Sequence, residues 1–451
     1  MGRHGESGDS RGTGLIAQLA TLAFLSAAHA GLSDAELLDL RDEILPLVEQ
    51  AAGRQFTATP AVDTRTHAGI GDVIEAEDEA LAGQFYPHLG PRALHAFRRG
   101  DPTGPPVFGK FSLLNQTVYI RSDIARAWRL HRKAGGMDAL ETETEENLAA
   151  CVLAHELAHA LQLQHSALDS VVQDGDMERL AAWNALAEGH AVQITRQVCA
   201  ARGTPGLMER LEPALGFDGP GPGPESGEVQ SRQEAGLRFV EAQPDIWAVF
   251  AALPTDTRMI HRPDSYRPGV PVEAFPGWPT LEASARDLLG SDPSLSMRDR
   301  AGFQTLQPLI RRSEAGEQVL DGLTSAHIGT VSLGARVVEV MAVEMASPAA
   351  AQGLLEAFRE QEAWRLRPER RWRSATFVEP PVDSGGPAGG WHSRFTVRPS
   401  QGGDLGAVTA VWAATRGRWV VRVWMSQITP EDTRCGTTLH TLLTALAAAS
   451  P

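Results

Sequence analysis

Hydrophobic spacing divides the chain into a helical first part and a strand-rich second part. From Leu32 to Gln50, apolar residues recur at Leu37, Leu38, Leu40, Ile44, Leu45, Leu47 and Val48, the spacing of one helix face. Ser33 stands three residues before Glu36, a capping box that marks the helix start. Pro46 is expected to interrupt this helix. A second helical stretch covers Ile74 to Phe85. Between Val107 and Ile120, the β formers Val118, Tyr119 and Ile120 follow the turn pair Asn115-Gln116, which predicts a short hairpin. Arg121 to Arg132 returns to helical spacing through Ile124, Trp128 and Leu130.

Two longer helices follow. Glu145 to His165 carries the apolar stripe Leu148, Cys151, Val152, Leu153 and Leu157, with Ala149, Ala150, Ala154, Ala158 and Ala160 as helix formers. Glu141, Glu143, Glu145 and Glu146 crowd its first turns, where the helix dipole favours acids. Met177 to Ala200 places Leu180, Trp183, Leu186, Ala187, Ala191, Ile194 and Val198 on a second apolar face. The intervening loop, Ala167 to Asp176, is long enough for the two helices to run antiparallel. Gly203 to Gly206 ends the second helix, Asp218 to Gly227 is a Gly/Pro-rich loop, and order resumes from Gln233 to Phe250.

Beyond residue 281 the pattern changes. Val337–Val343, Thr376–Val378, Phe395–Val397, Ala407–Ala414 and Arg418–Met425 read as strands. Pro348–Trp364 and Thr437–Ala449 read as helices. Trp412, Trp419 and Trp424 point to a packed sheet, and nothing in this part has catalytic spacing.

The chemistry lies on the first long helix. His155, Glu156 and His159 form an HExxH pattern. Histidines four residues apart share a helix face, so both imidazoles reach one ion, and the glutamate beside the first is placed as a general base. A catalytic zinc takes three protein ligands and leaves one position open. Two residues compete for the third place. His165 lies ten residues after His155, an offset that needs a glycine to turn the chain, and position 162 is Gln162. On a continuing helix His165 points about 80° away, some ~15 Å along the axis. Glu188, on the second helix, faces the pair in an antiparallel arrangement and is preferred. Gln162, Gln164, His165, Asp169 and Asn184 are possible partners for the second nitrogens of the histidines.

The stretch HELAHALQLQH followed by NALAEGHA resembles bacterial gluzincin-type zinc metallopeptidase-like proteins. The resemblance extends over about residues 105 to 270 and includes Thr255 to Tyr266. It implies that His155, His159 and Glu188 bind Zn²⁺ and that Glu156 is the base. His190 departs from the acidic residue common after the Glu-Gly pair, so it stands as a second-shell group or a competing ligand. His261 and Tyr266 are the candidates, by position, for stabilising an oxyanion. The expected fold is α+β. A mainly helical zincin-like catalytic domain with a short edge hairpin (105–280) follows an N-terminal helical segment (31–104) and precedes an α+β C-terminal portion (281–451). The edge strand of the hairpin is placed to pair with an extended peptide.

Composition narrows the partners. The chain has 451 residues and a formal charge of -15, which argues against nucleic acid. No GxxxxGK[ST] phosphate loop is present. Residues 15–25 carry an apolar core and Ala28-His29-Ala30 has a small-x-small form, so residues 1–30 read as a secretory signal peptide and the protein as exported. No later segment has the length of a membrane span. Of the three cysteines, Cys151, Cys199 and Cys435, at least one stays unpaired within the chain, and Cys151 is expected as a packed small hydrophobe. The functional expectation is a zinc-dependent hydrolase of peptide or protein substrates. The alternative is a non-catalytic zinc-stabilised scaffold or binding protein.

Overall fold

The computed structural model describes residues 32–85, 107–134, 145–207, 226–269, 278–280, 283, 294–333, 336–365, 375–383, 390–397, 408–428, 440–441 and 443–445. The expected signal peptide, residues 218–225 of the Gly/Pro-rich stretch, Cys435 and most of the closing helix lie outside the described residues.

Helix α1 (Asp34–Ala52) starts at the expected capping box. The Glu36 amide donates to the Ser33 hydroxyl (3.3 Å), and the Ser33 amide donates to the Glu36 carboxylate (2.9 Å). Pro46 lies inside the helix, which runs through it. Proline removes one donor, so the Asp42 carbonyl loses its intrahelical partner, and both residues lie on the exposed face of the helix. Leu37, Leu40, Ile44, Val48 and Ala52 are buried at helical spacing, while Leu38 stays exposed.

Strand β1 (Ala61–Arg65) and helix α2 (His67–Phe85) lead to the hairpin β2 (Gly109–Ser112) and β3 (Thr117–Arg121). The hairpin turn carries Gln116 at φ 54, and the Asn115 side chain braces it by accepting from the Thr117 amide and donating to the Tyr119 hydroxyl. Strand β1 pairs in parallel with β3, so the small sheet has the order β1-β3-β2, with β2 at its edge among the described residues. The sequence pattern misses β1, whose five residues are mostly polar.

Helices α3 (Ile124–Ala134), α4 (Glu145–His165), α5 (Leu168–Asp174) and α6 (Met177–Ala201) follow. The expected loop between the two long helices thus holds a helix of its own. Residues 148–158 of α4 are buried without interruption, so α4 is covered on all sides rather than along one stripe. Residues of α1, the small sheet, α3, α4 and α6 share one apolar cluster. A second cluster joins α5 and α6 to α7 (Ser226–Glu241), α8 (Ile246–Ala251) and α9 (Thr257–His261).

The rest of the chain builds a seven-stranded antiparallel sheet with a helix against it. Its strands are β4 (Ser294–Arg300), β5 (Leu323–Leu333), β6 (Arg336–Met345), β7 (Ala375–Asp383), β8 (Gly390–Val397), β9 (Val408–Arg416) and β10 (Trp419–Ile428), in the order β4-β5-β6-β10-β9-β8-β7. Helix α10 (Pro348–Arg365) packs Leu354, Leu355 and Phe358 into a cluster with Trp391, Val411 and Val420. Strands β4 and β5 escape the sequence reading because polar residues and alanine or glycine break their apolar alternation. The whole is an α+β fold with two sheets. Among the described residues no helix is long and apolar enough to cross a membrane.

A buried polar junction ties the N-terminus of α6 to β4. Asp176 caps α6 through the Arg179 amide (3.0 Å) and accepts two hydrogen bonds from Arg300 (2.9 and 2.7 Å). Arg300 also donates to the Thr255 carbonyl. The Met177 amide donates to Asp299 (3.2 Å). Glu178 accepts from the amide and hydroxyl of Thr257 (2.6 and 2.5 Å). A Cβ at Gly302 would stand 1.7 Å from the Glu178 carboxylate, so a larger residue there would require that carboxylate to shift from Thr257. Burial pushes Glu178 up to about 8 against the pull of Thr257. Burial, with the charge of Asp176, holds Asp299 at about 7 although the Arg300 amide opposes it.

Both carboxyls bind protons more tightly folded than unfolded. Their stabilisation is complete below the unfolded values near 4 and is lost as pH rises through about 7 and 8. The melting temperature should therefore fall between about pH 4 and pH 8. Glu178→Gln, which keeps an acceptor for Thr257 without a charge, should flatten that fall. Equal slopes for the two proteins in a pH series of melting curves would rule this out.

Candidate metal centre

The site is built where α4 and α6 run antiparallel. At one end Cys151 and Cys199 form a disulfide, with Cα atoms 5.9 Å apart. At the other end the Gln162 amide donates to the Ala187 carbonyl (2.8 Å). Between these ties, His155 and His159 on α4 face Glu188 on α6. Their Nε2 atoms are 3.2 Å apart, and the Glu188 oxygens lie 3.5 Å from His155 Nε2 and 3.6 Å from His159 Nε2. Two donors on one tetrahedral zinc, each at about 2.0–2.1 Å, stand about 3.3 Å apart. The three residues therefore fit one ion. Among the described residues they are the one group of three such side chains close enough to share a metal.

Electrostatics point the same way. Burial raises the Glu188 carboxyl, but His159, His155 and the Gln233 amide outweigh it and hold it far below the usual range. Burial depresses His155, yet the Glu188 and Glu156 carboxylates reverse this and raise it. Burial, with the neighbouring His155 charge, wins at His159, which is lowered despite Glu188. The Glu188 carboxylate thus favours positive charge beside His155 more than it does beside His159.

Glu156 lies on the wall of the same cleft. Its carboxylate accepts from the Phe111 amide on edge strand β2 (2.6 Å). A Cβ at Gly109 would come within 2.7 Å of Val152 and 2.9 Å of Glu156, so glycine is what lets the strand lie against α4. Lys110, beside it, pairs with buried Glu77 of α2 (3.2 Å). The cleft holds about 340 Å³ and is walled by Ile74, Leu113, Leu180 and Trp183, besides the cluster and Glu156.

Two glutamines brace the cluster. Gln162 Oε1 is 2.9 Å from His159 Nδ1. Gln233, from α7, donates to Glu188 (3.0 Å). Helix α7 reaches that close because two glycines meet. A Cβ at Gly189 would lie 2.1 Å from the Gly236 backbone, and one at Gly236 would lie 1.8 Å from the Ala185 carbonyl oxygen. The glycine after Glu188 thus serves a helix crossing.

The other residues singled out in the sequence fall elsewhere. Helix α4 continues through Gln162, and His165 at its end bonds the Gln55 carbonyl (2.8 Å) and packs on Trp247. Gln164 accepts from the Thr57 and Ala58 amides, and Asp169 is exposed. His190 sits behind Gln162 (3.3 Å) between Trp247 and Phe250, and burial, with the charge of His159, lowers it to about 3. Asn184 lines the cleft one turn before Glu188 and backs neither imidazole. His261 stacks on Phe303 at 4.2 Å and is lowered to about 4 by burial and the charges of Arg238 and Arg262. Tyr266 donates to the Ala252 carbonyl (2.7 Å) and packs on Phe239. Neither His261 nor Tyr266 lines the cleft; α9 and the turn after it direct both into packing contacts instead of toward the cluster. Cys151, expected as a packed small hydrophobe, is buried but bonded to Cys199 in the disulfide. Gln233 escaped the sequence reading, and its one signal is Gly236, a glycine inside a helix.

Gly236→Ala should destabilise the fold by about 1–3 kcal/mol, because backbone atoms rather than flexible side chains must move; urea unfolding measures this. Thiol titration of the unfolded, unreduced protein should find one reactive cysteine per chain out of three, with all three appearing after reduction. Three thiols before reduction would remove the disulfide from the account.

No family model matches the chain, and no curated protein does. Among solved structures, the extracellular domain of PknH from Mycobacterium tuberculosis is similar over 37% of this chain and 91% of its own, at 14% sequence identity and a TM-score of 0.25. That likeness is too slight to carry a fold or a function across.

Proposed function

We propose that the chain holds zinc between His155, His159 and Glu188 and hydrolyses peptide bonds in the cleft beside it. The observation that carries this is the convergence of two imidazoles and a carboxylate at tetrahedral spacing, with Glu156 on the wall of the same cleft. Such a donor set leaves a fourth position open. When bound, zinc lowers the pKa of a water and polarises a carbonyl. Glu156 is the group placed to take a proton, and the Phe111 amide holds its carboxylate in position. Among the described residues strand β2 pairs with β3 alone; apart from the Phe111 amide, which donates to Glu156, its other edge suits an extended peptide pairing through its main chain. On this reading residues 105–280 form a zincin-like domain of the gluzincin type. The Cys151–Cys199 disulfide supports an exported protein, since disulfides persist in oxidising compartments.

A second reading is a zinc-stabilised scaffold or binding protein without catalysis. The cluster alone supports it more directly than it supports hydrolysis, because a site between two joined helices stabilises the fold whether or not it reacts.

Metal analysis and a peptide-library assay separate the readings. Wild type should carry zinc; Glu188→Ala should lose it and His165→Ala should keep it. Glu156→Gln should retain the metal while hydrolysis falls by about 10²–10⁴-fold, the usual worth of a general base. Zinc in wild type without cleavage of any peptide selects the scaffold. No zinc in wild type ends both readings.

A further inference from the structure

We propose that Gln162 is a positioning residue, whose amide fixes His159 in the Nδ1–H tautomer and thereby aims the Nε2 lone pair at the point where the cluster converges. The importance of that lone pair rests on the zinc reading; the hydrogen-bond argument stands without it.

A glutamine amide has a donating end and an accepting end. The group 2.8 Å from one end of Gln162 is the Ala187 backbone carbonyl, which can only accept. The amino group must therefore face Ala187, and the same group is 3.3 Å from His190 Nδ1. The oxygen is left facing His159 Nδ1 at 2.9 Å. An amide oxygen cannot donate, so Nδ1 must carry the proton. In a neutral ring Nε2 is then bare, and Nε2 is the atom that meets His155 Nε2 at 3.2 Å and Glu188 at 3.6 Å. Turning the amide over would set two oxygens against each other in a side chain that is 0% exposed, where no water relieves the repulsion.

Among the described residues His155 has no counterpart to this tie, because its buried Nδ1 meets no hydrogen-bond partner there. Orientation of the imidazole pair is therefore set at His159. Ala187 also directly precedes Glu188, so the one amide holds His159 and the carboxylate's helix in register. A purely structural clasp between α4 and α6 would need the bond to Ala187 but would be indifferent to the His159 tautomer.

The test uses full-length, metal-free protein labelled with ¹⁵N-histidine. Long-range ¹H–¹⁵N spectra report the protonated nitrogen of each ring, with His159 assigned by its loss in His159→Gln. The expected result is a protonated Nδ1 in wild type. Gln162→Glu in its acid form, whose hydroxyl can donate to the Ala187 carbonyl while its other oxygen accepts from His159, should preserve it, and Gln162→Met, similar in length but without polar atoms, should not. Zinc affinity by chelator competition should fall about 10- to 100-fold in Gln162→Met and much less in Gln162→Glu. An Nε2–H tautomer for His159 in wild type overturns the proposal, as does wild-type zinc affinity in a folded Gln162→Met. If Gln162→Met fails to fold, the wild-type spectrum decides alone. If wild type takes up no zinc, the zinc reading fails and the spectrum still decides the tautomer.

Discussion

The close antiparallel contact between α4 and α6 is the constraint on which the site depends. His155, His159 and Glu188 converge only because the two helix backbones approach, and the Cα atoms of Cys151 and Cys199 stand 5.9 Å apart at one end of the contact. Alanines along α4, buried from every side, permit that approach where larger side chains would hold the helices apart. Two imidazoles and a carboxylate at the centre of such a contact are expensive to bury. They offset the cost by interacting with one another, with Gln162 and with Gln233, and a divalent ion would offset it further.

The same logic of small residues extends to both flanks. Gly109 lets edge strand β2 lie against α4 so that the Phe111 amide reaches Glu156. Gly189 and Gly236 let α7 cross α6 so that Gln233 reaches Glu188. In each case a missing Cβ brings a neighbouring element within reach of a carboxylate that lines the cleft. At its N-terminus α6 is held by a third device, the polar junction with β4, where Gly302 makes room for Glu178. The C-terminal sheet thereby bears on the helix that carries Glu188, although among the described residues none from that sheet lines the cleft.

The bounds of α4 and α6, the capping box of α1 and the hairpin were legible because each depends on residues near one another in the chain. Helical spacing placed His155 and His159 on one face whatever lay opposite, and the unbroken helix at Gln162 disqualified His165 on local grounds. Glu188 was legible as a buried acid on a second apolar helix, provided that the two helices ran antiparallel.

What lay opposite each face was decided by tertiary structure alone. The pairing of β1 with β3 and the sheet positions of β4 and β5 depend on partners distant in sequence. So does the Cys151–Cys199 bond, since nothing local distinguishes a cysteine that packs from one that meets a second. His261 and Tyr266 were plausible by chain position, but position does not report direction, and the fold turns both into packing contacts away from the cleft. The braces Gln162 and Gln233 acquire their roles from an acceptor-only carbonyl and from a glycine-to-glycine crossing. Periodicity is a property of the chain, whereas a hydrogen bond between helices is a property of their separation, and only the folded packing sets that.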